Sequence, residues 1–264
     1  MKRVTLLACL LWVSLANAAK LNETDIVIKY AKQGDPEAQY VLARLYADGR
    51  GLRQSDEQAV LWYERAARGG YAEAQNRLGS LHLNGRLGLL EDAEEAFDWY
   101  SLAAVQEHKV AQYHVGNLLF KGQGIDQDRP LGIQWLKRAA DNGCKRAMAR
   151  LGQIYDKGIG VPVDDQAAHD WYIKAAEYKV SYAQRALGRM YRHGEGVQQD
   201  VAESVRWYRL AAERGKPDAQ YALGEILLHG EGGVPADREQ AITWLEKAAR
   251  ANYKAAKELL AKLR

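Results

Sequence analysis

The sequence predicts an all-α, right-handed helical solenoid of six helix-turn-helix repeats of about 36 residues, with a capping helix at each end. Three observations predict it. Segments opening at Ala38, Ala74, Ala111, Ala147, Ala183 and Ala219 match one another at a spacing of 36 residues, stretched to 37 between Ala74 and Ala111. Each carries the same marks in the same order. An Ala-Gln or near variant comes first, then a glycine pair (Gly49/Gly51 through Gly230/Gly232), one Trp (Trp62, Trp99, Trp135, Trp171, Trp207, Trp244) and an Ala-Ala pair. Within a segment, apolar residues recur at helical spacing. Self-similarity at such a period marks stacked units, none of which can bury its apolar face alone.

The elements follow in chain order. Met1-Lys2-Arg3 is a short basic start, Val4 to Leu15 an apolar stretch, and Ala16-Asn17-Ala18 a small-x-small cleavage pattern. Residues 1–18 therefore read as a secretory signal with a mature start at Ala19. The apolar run is too short for a stable membrane anchor. Leu7-Ala8-Cys9 faintly resembles a lipoprotein box, but cleavage there would leave almost no apolar stretch ahead of it. A periplasmic or secreted protein is the expected product. Ile26 lies 12 residues before Ala38, the distance that separates most of the tryptophans from the next opening Ala, so residues 22–34 read as an orphan second helix. At the other end Leu259, Leu260 and Leu263 give residues 255–264 the apolar face of an orphan first helix. Half-repeats of this kind close the core of an array, so 19–264 reads as a single domain.

Inside a repeat, Ala219, Leu223, Ile226 and Leu227 fall on one helical face, and Ala241, Trp244 (or Leu245) and Ala248 repeat the period. Gly230-Glu231-Gly232 separates the two helices, because glycine accepts the left-handed position that ends the first. Two repeats carry an extra turn residue, at Arg86–Gly88 and Glu231–Gly233, where insertions are tolerated. A glycine also recurs in mid-helix (Gly79, Gly116, Gly152, Gly188, Gly224), with Ala43 in the first repeat. Each costs about 1 kcal/mol against Ala, so its recurrence predicts a close helix–helix approach. The one-per-repeat Trp is expected to pack between helices, and so is the Tyr after it (Tyr63, Tyr100, Tyr172, Tyr208).

The pattern A-x-A-Q-Y-x-L-G-x-x-Y-x-x-G-x-G-V-x-x-D-x-x-x-A-x-x-W-Y-x-x-A-A resembles the Sel1-like repeat family, relatives of the tetratricopeptide repeats. Ala183-Gln184, Leu187-Gly188, Tyr191, Gly194-Glu195-Gly196-Val197, Asp200, Trp207-Tyr208 and Ala211-Ala212 carry the resemblance best, and it covers residues 38 to 255. It implies an all-helical fold and a protein-interaction scaffold, a role many family members fill in bacterial envelopes. A subset with one disulfide per repeat resembles β-lactamase-like, penicillin-binding proteins. Cys144 is the lone cysteine left after the leader, so this chain lacks the pairs that mark that subset.

Composition excludes other classes. Without Lys2 and Arg3 the chain holds 35 basic against 34 acidic residues, which gives no argument for a nucleic-acid partner. About 245 mature residues suffice for a large core without a disulfide. The glycine pairs lack a third glycine and follow a helix, so they are turns and no phosphate cradle. Asp126-Gln127-Asp128 fails as a calcium loop, with Leu131 where the glycine belongs and Lys137 where the closing Glu belongs. His82, His108, His114, His169, His193 and His229 form no metal-binding spacing; His193 and His229 share a column with Lys121 and Lys157, where a cation complements a helix C-terminus. No metal, cofactor or catalytic residue is therefore expected. Gly143-Cys144-Lys145-Arg146 surrounds the thiol with basic groups, yet an incidental thiol is a simpler reading than a redox role.

The informative positions are those where the repeat varies. Counting from the opening Ala, columns four, seven and eleven of the first helices form a stripe away from the packed face. The stripe holds Arg44, then Arg77, then His114, Asn117 and Lys121, then Arg150, Gln153 and Lys157, then Arg189 and His193, and finally Glu225. These are the expected partner-contact residues, on a polar, centrally basic concave face, with Arg77, Arg150 and Arg189 as anchors for carboxylates. An ordinary solvated helix face is the plain alternative. The function expected is a non-catalytic scaffold or adaptor for a protein or peptide partner, plausibly acidic. A regulator binding peptidoglycan or an anionic exopolysaccharide is the second reading, a β-lactamase-like hydrolase the third.

Overall fold

The structure, a computed structural model, describes residues 23–263; the leader and cleavage site expected from the sequence lie outside them. Fourteen helices and no strand occur among the described residues, which cluster into two compact units meeting in sequence at Asn142 and Gly143. In unit 1, α1 (Glu23–Lys32) is the N-terminal half-repeat. Then come α2 (Pro36–Asp48) with α3 (Asp56–Arg68), α4 (Ala72–Asn84) with α5 (Ala93–Ala104), and α6 (Lys109–Lys121) with α7 (Arg129–Asp141). Unit 2 holds α8 (Lys145–Lys157) with α9 (Asp165–Glu177), α10 (Ser181–His193) with α11 (Val201–Glu213), α12 (Pro217–His229) with α13 (Arg238–Arg250), and the closing α14 (Lys254–Leu263). Within each unit every helix packs on its neighbours in sequence, the nearest-neighbour contact of a helical repeat array.

The repeat's marks each have a structural cause. Ser55, Asp92, Asp128, Asp164, Asp200 and Asp237 cap the second helices, each side chain accepting an amide of the first turn. The first turn glycine ends each first helix, in the left-handed region at Gly49, Gly85, Gly122, Gly158 and Gly194. The opening Gln stitches repeats together. Gln39, Gln75, Gln112 and Gln220 are buried and donate to the carbonyls of Ala31, Ala67, Ala104 and Ala212 at 3.0–3.2 Å. Those carbonyls end the preceding helix and accept one amide of the turn that follows, and the Gln supplies a second donor from the next helix.

The mid-helix glycine makes room for the second helix. A Cβ on Gly79, Gly152 or Gly188 would come within 2.8, 2.5 or 2.7 Å of the ring of Tyr100, Tyr172 or Tyr208. These tyrosines, with Tyr63, are all buried, Tyr100 and Tyr172 being 0% exposed. The tryptophans sit shallower than their core assignment implies. Trp62 (8%) and Trp207 (9%) are buried, but Trp99, Trp135, Trp171 and Trp244 are only half-buried. One side of the indole reaches the cluster holding the preceding Ala-Ala pair, as Trp135 does with Ala103 and Ala104. At Trp62, Trp135, Trp171 and Trp244 the other is roofed by a cation one turn on, Arg65, Arg138, Lys174 or Lys247, at 3.9–4.9 Å from the ring centre. That roof replaces protein packing on the outer side.

Candidate partner-binding face

The stripe is built from columns four, seven and eleven of the first helices, and each unit presents its own part. In unit 1 the fourth column is less open than its spacing suggests, because it lies on the tyrosine of the preceding second helix. The guanidinium of Arg77 sits 5.8 Å from the ring centre of Tyr63, and His114 stacks on Tyr100 at 4.5 Å with the rings 9° from parallel. Both side chains are half-buried. Arg44 and Lys121 stand exposed. The amide of Asn117 donates to the Tyr113 carbonyl at 2.9 Å, and that of Asn84 to Ser80 at 2.7 Å. Burial raises the Tyr63 phenol, against the opposing pull of Arg77 and Arg44, and pushes Tyr100 up to about 12. Both are neutral hydroxyls at physiological pH, so the charge on this face belongs to the cations.

In unit 2 the same columns are largely tied up. Ala186, in the fourth column, is buried at 3%. Arg150 donates to Gln153 at 2.6 Å. Arg189 bridges Asp156, at 2.6 Å, and Glu195. The Tyr172 hydroxyl donates to the same Asp156 at 3.1 Å. Burial works against the Arg189 charge, but the two carboxylates outweigh it and raise its pKa. One turn on, Arg192 donates to Glu231 at 2.7 Å and reaches Glu225 at 3.5 Å, while Tyr221 donates to Glu225. The hydrogen bonds from Arg192 hold the Glu231 carboxyl below its ordinary value. Lys157 and His193 remain exposed. The stripe is therefore cationic in unit 1 and at Arg150 and Lys157 of the fourth repeat, and internally paired in the last two repeats.

Asp156, Arg192, Glu195 and Glu231 were absent from the sequence expectation. Asp156 and Arg192 occupy column ten, which holds Ala47, Leu83 and Phe120 in unit 1. Glu195 and Glu231 are the middle residues of Gly-x-Gly turns. The signal that could have found them is the charge of that turn residue read down the repeats.

Cys144 is buried at 5% at the start of α8. No cluster of His, Cys, Asp or Glu able to hold a metal ion occurs among the described residues, and none of their helices is long and apolar enough to cross a membrane.

Comparison with known proteins agrees with this architecture. The Sel1 repeat family model matches six times, over residues 36–71, 72–108, 109–144, 145–177, 181–216 and 217–253. A Sel1 repeat protein from Oxalobacter formigenes is 30% identical, with 87% of this chain and 98% of that one covered and a TM-score of 0.74. A protective antigen of uropathogenic Escherichia coli, with an SLR fold, is 28% identical at a TM-score of 0.66. That alignment covers 92% of this chain and 59% of the antigen. No curated protein sequence matches the chain.

Proposed function

The chain belongs to the Sel1 repeat family, and from that premise we propose that it is an exported scaffold that binds a protein or peptide partner through its first-helix stripe. Sel1 repeat proteins mediate protein–protein interaction, generally as non-catalytic scaffolds. One observation carries the assignment to this face. The columns that hold the fold repeat closely: opening Ala, buried Gln, mid-helix Gly, deep Tyr or Leu. Columns four, seven and eleven instead run through Arg, His, Val and Ala, then Arg, Ser, Asn, Gln and Glu, then Asp, Asn, Lys and His. Variation at a partly exposed stripe on a constant frame is how a repeat array carries recognition. Export rests on the leader, Val4 to Leu15 followed by Ala16-Asn17-Ala18.

The test is capture from the native envelope by purified mature protein, comparing wild type with Arg44→Ser, Lys121→Ser, Lys157→Ser and His193→Ser combined. All four side chains are exposed, so the variant is expected to fold. A protein retained by wild type and lost by the variant supports the reading. Equal capture by both moves the surface elsewhere, and retention of peptidoglycan or polysaccharide alone favours the glycan reading. N-terminal sequencing of the exported protein is expected to begin at Ala19.

A further inference from the structure

We propose that the stripe of unit 1 alone is an anion-recognising site, and that its occupant is an acidic peptide segment whose carboxylates lie on Arg44, Arg77 and Lys121. The inference rests on the scaffold reading above and narrows it to one unit and one ligand charge.

Charge bookkeeping at matched positions motivates it. Columns four, seven, ten, eleven and thirteen of the three repeats give fifteen positions per unit. In unit 1 they hold five positive charges (Arg44, Arg50, Arg77, Arg86, Lys121) and one negative, Asp48. In unit 2 the four cations equal the four carboxylates in number, and Arg189 and Arg192 are ion-paired with them. The middle residue of the glycine turn reverses sign between the units, from Arg50 and Arg86 to Glu195 and Glu231. Within unit 2 this turn residue does reach the stripe, because Glu195 pairs with Arg189 and Glu231 with Arg192. In unit 1 the equivalent Arg50 pairs with Asp48 at 3.5 Å, both largely exposed, and Arg86 adds a cation beside Arg77 and Lys121.

Pairing makes the difference functional. Arg189 and Arg192 already hold carboxylates from their own chain, so an incoming acid there must displace one. Arg44, Arg77 and Lys121 have no carboxylate within ion-pair distance among the described residues. Arg77 is the centre of the site. It is half-buried across Tyr63, its Nε is buried without a hydrogen-bond partner, and so is Oδ1 of its neighbour Asn76. A guanidinium that has lost part of its water and gained no anion binds a carboxylate more strongly than a fully hydrated one does. Arg44 and Lys121 stand on the helices before and after it, α2 and α6, so an extended acidic chain meets one cation per repeat.

The experiment measures binding of three fluorescein-labelled dodecapeptides by anisotropy. Their apolar content is identical, and their variable positions are all Glu, all Lys or all Ser. A polygalacturonate oligomer of similar charge serves as the glycan probe. The Glu peptide is expected to bind, with the Lys and Ser peptides at least tenfold weaker. Arg44→Ser/Arg77→Ser/Lys121→Ser should weaken the Glu peptide by about tenfold or more, each charge-assisted contact being among the stronger hydrogen bonds. Removing three exposed cations off the stripe, Arg209→Ser/Arg214→Ser/Lys216→Ser, should change it less than twofold. Because Arg77 is half-buried, Arg44→Glu/Lys121→Glu is measured beside the triple variant, with circular dichroism of both. Tighter binding of the Lys or Ser peptide overturns this inference while leaving the scaffold reading intact. Equal losses in the two triple variants, or binding of polygalacturonate without the peptide, overturn it as well. Failure of every peptide to bind overturns this inference, while the scaffold reading stands or falls on the envelope capture.

Discussion

Replacing Arg189 with Ala removes the cation that bridges Asp156 and Glu195, and the structure sets the size of the effect. The Arg189 side chain is 34% exposed, Asp156 12% and Glu195 30%. Fully exposed pairs contribute about 0–1 kcal/mol, whereas breaking a buried pair by removing one partner costs about 3–5 kcal/mol. Glu195 lies near the first limit and returns to water, at about 0.5 kcal/mol. Asp156 lies nearer the second, but the Tyr172 hydroxyl still donates to it at 3.1 Å and holds its cost to about 1.5–2 kcal/mol. The sum is about 2 kcal/mol, a fall in Tm of about 4–8 °C for a chain of this size. Thermal and urea unfolding of wild type, Arg189→Ala, Asp156→Asn and the double variant measures it. The double-mutant cycle should give a coupling of about 1–2 kcal/mol. A loss below about 0.5 kcal/mol with no coupling, the usual result for an exposed side chain, would refute the reasoning and return Arg189 to the set of free partner contacts.

Three further outcomes follow from the same geometry. Glu231 has its carboxyl held below the ordinary value of 4.5 by Arg192, so the unfolded chain binds its proton more readily in acid. Its contribution is present above 4.5 and lost as pH falls through the folded value; Glu231→Gln should therefore be less stable than wild type near neutrality, and the two should converge in acid unfolding titrations. Gly188→Ala gains about 1 kcal/mol of helix propensity but drives a Cβ to 2.7 Å from Tyr208, and a net loss of about 1–2 kcal/mol is expected in urea unfolding. A gain in stability there would contradict the close approach. Gln112→Met removes one of the two donors to the Ala104 carbonyl, the Glu107 N–H at 3.1 Å remaining, together with the acceptor of the Asn142 amide, and should cost about 0.5–1.5 kcal/mol; an unchanged midpoint would show that the stitch carries no stability.

Much of the fold was legible because each repeat must solve the same packing problem. The mid-helix glycine could be read as a close approach from its cost alone, and the tyrosine beneath it now supplies the reason. The buried Gln was visible as a mark but not as a stitch, since its acceptor is a carbonyl of the preceding helix, eight residues back. Trp135 and its equivalents looked like full core residues because a pattern of apolar side chains does not reveal which face a lysine or arginine will cover. The stripe was legible as variable positions, but its charge was not. Periodicity places Arg189 on an open face, whereas its neutralisation depends on Asp156 one repeat earlier and Glu195 across a turn. Such pairings lie between columns, where the repeat pattern is silent.

The most direct test of the scaffold assignment is site-specific photo-crosslinking in the native cell, with a benzophenone side chain at Asn84 on the stripe or at Leu102 on the second helix of the same repeat. Both positions are exposed and belong to one helix pair, so expression and folding are matched. Asn84 is expected to yield a discrete adduct with a partner protein and Leu102 none. An adduct from Leu102 with none from Asn84 would contradict the first-helix stripe as the binding face.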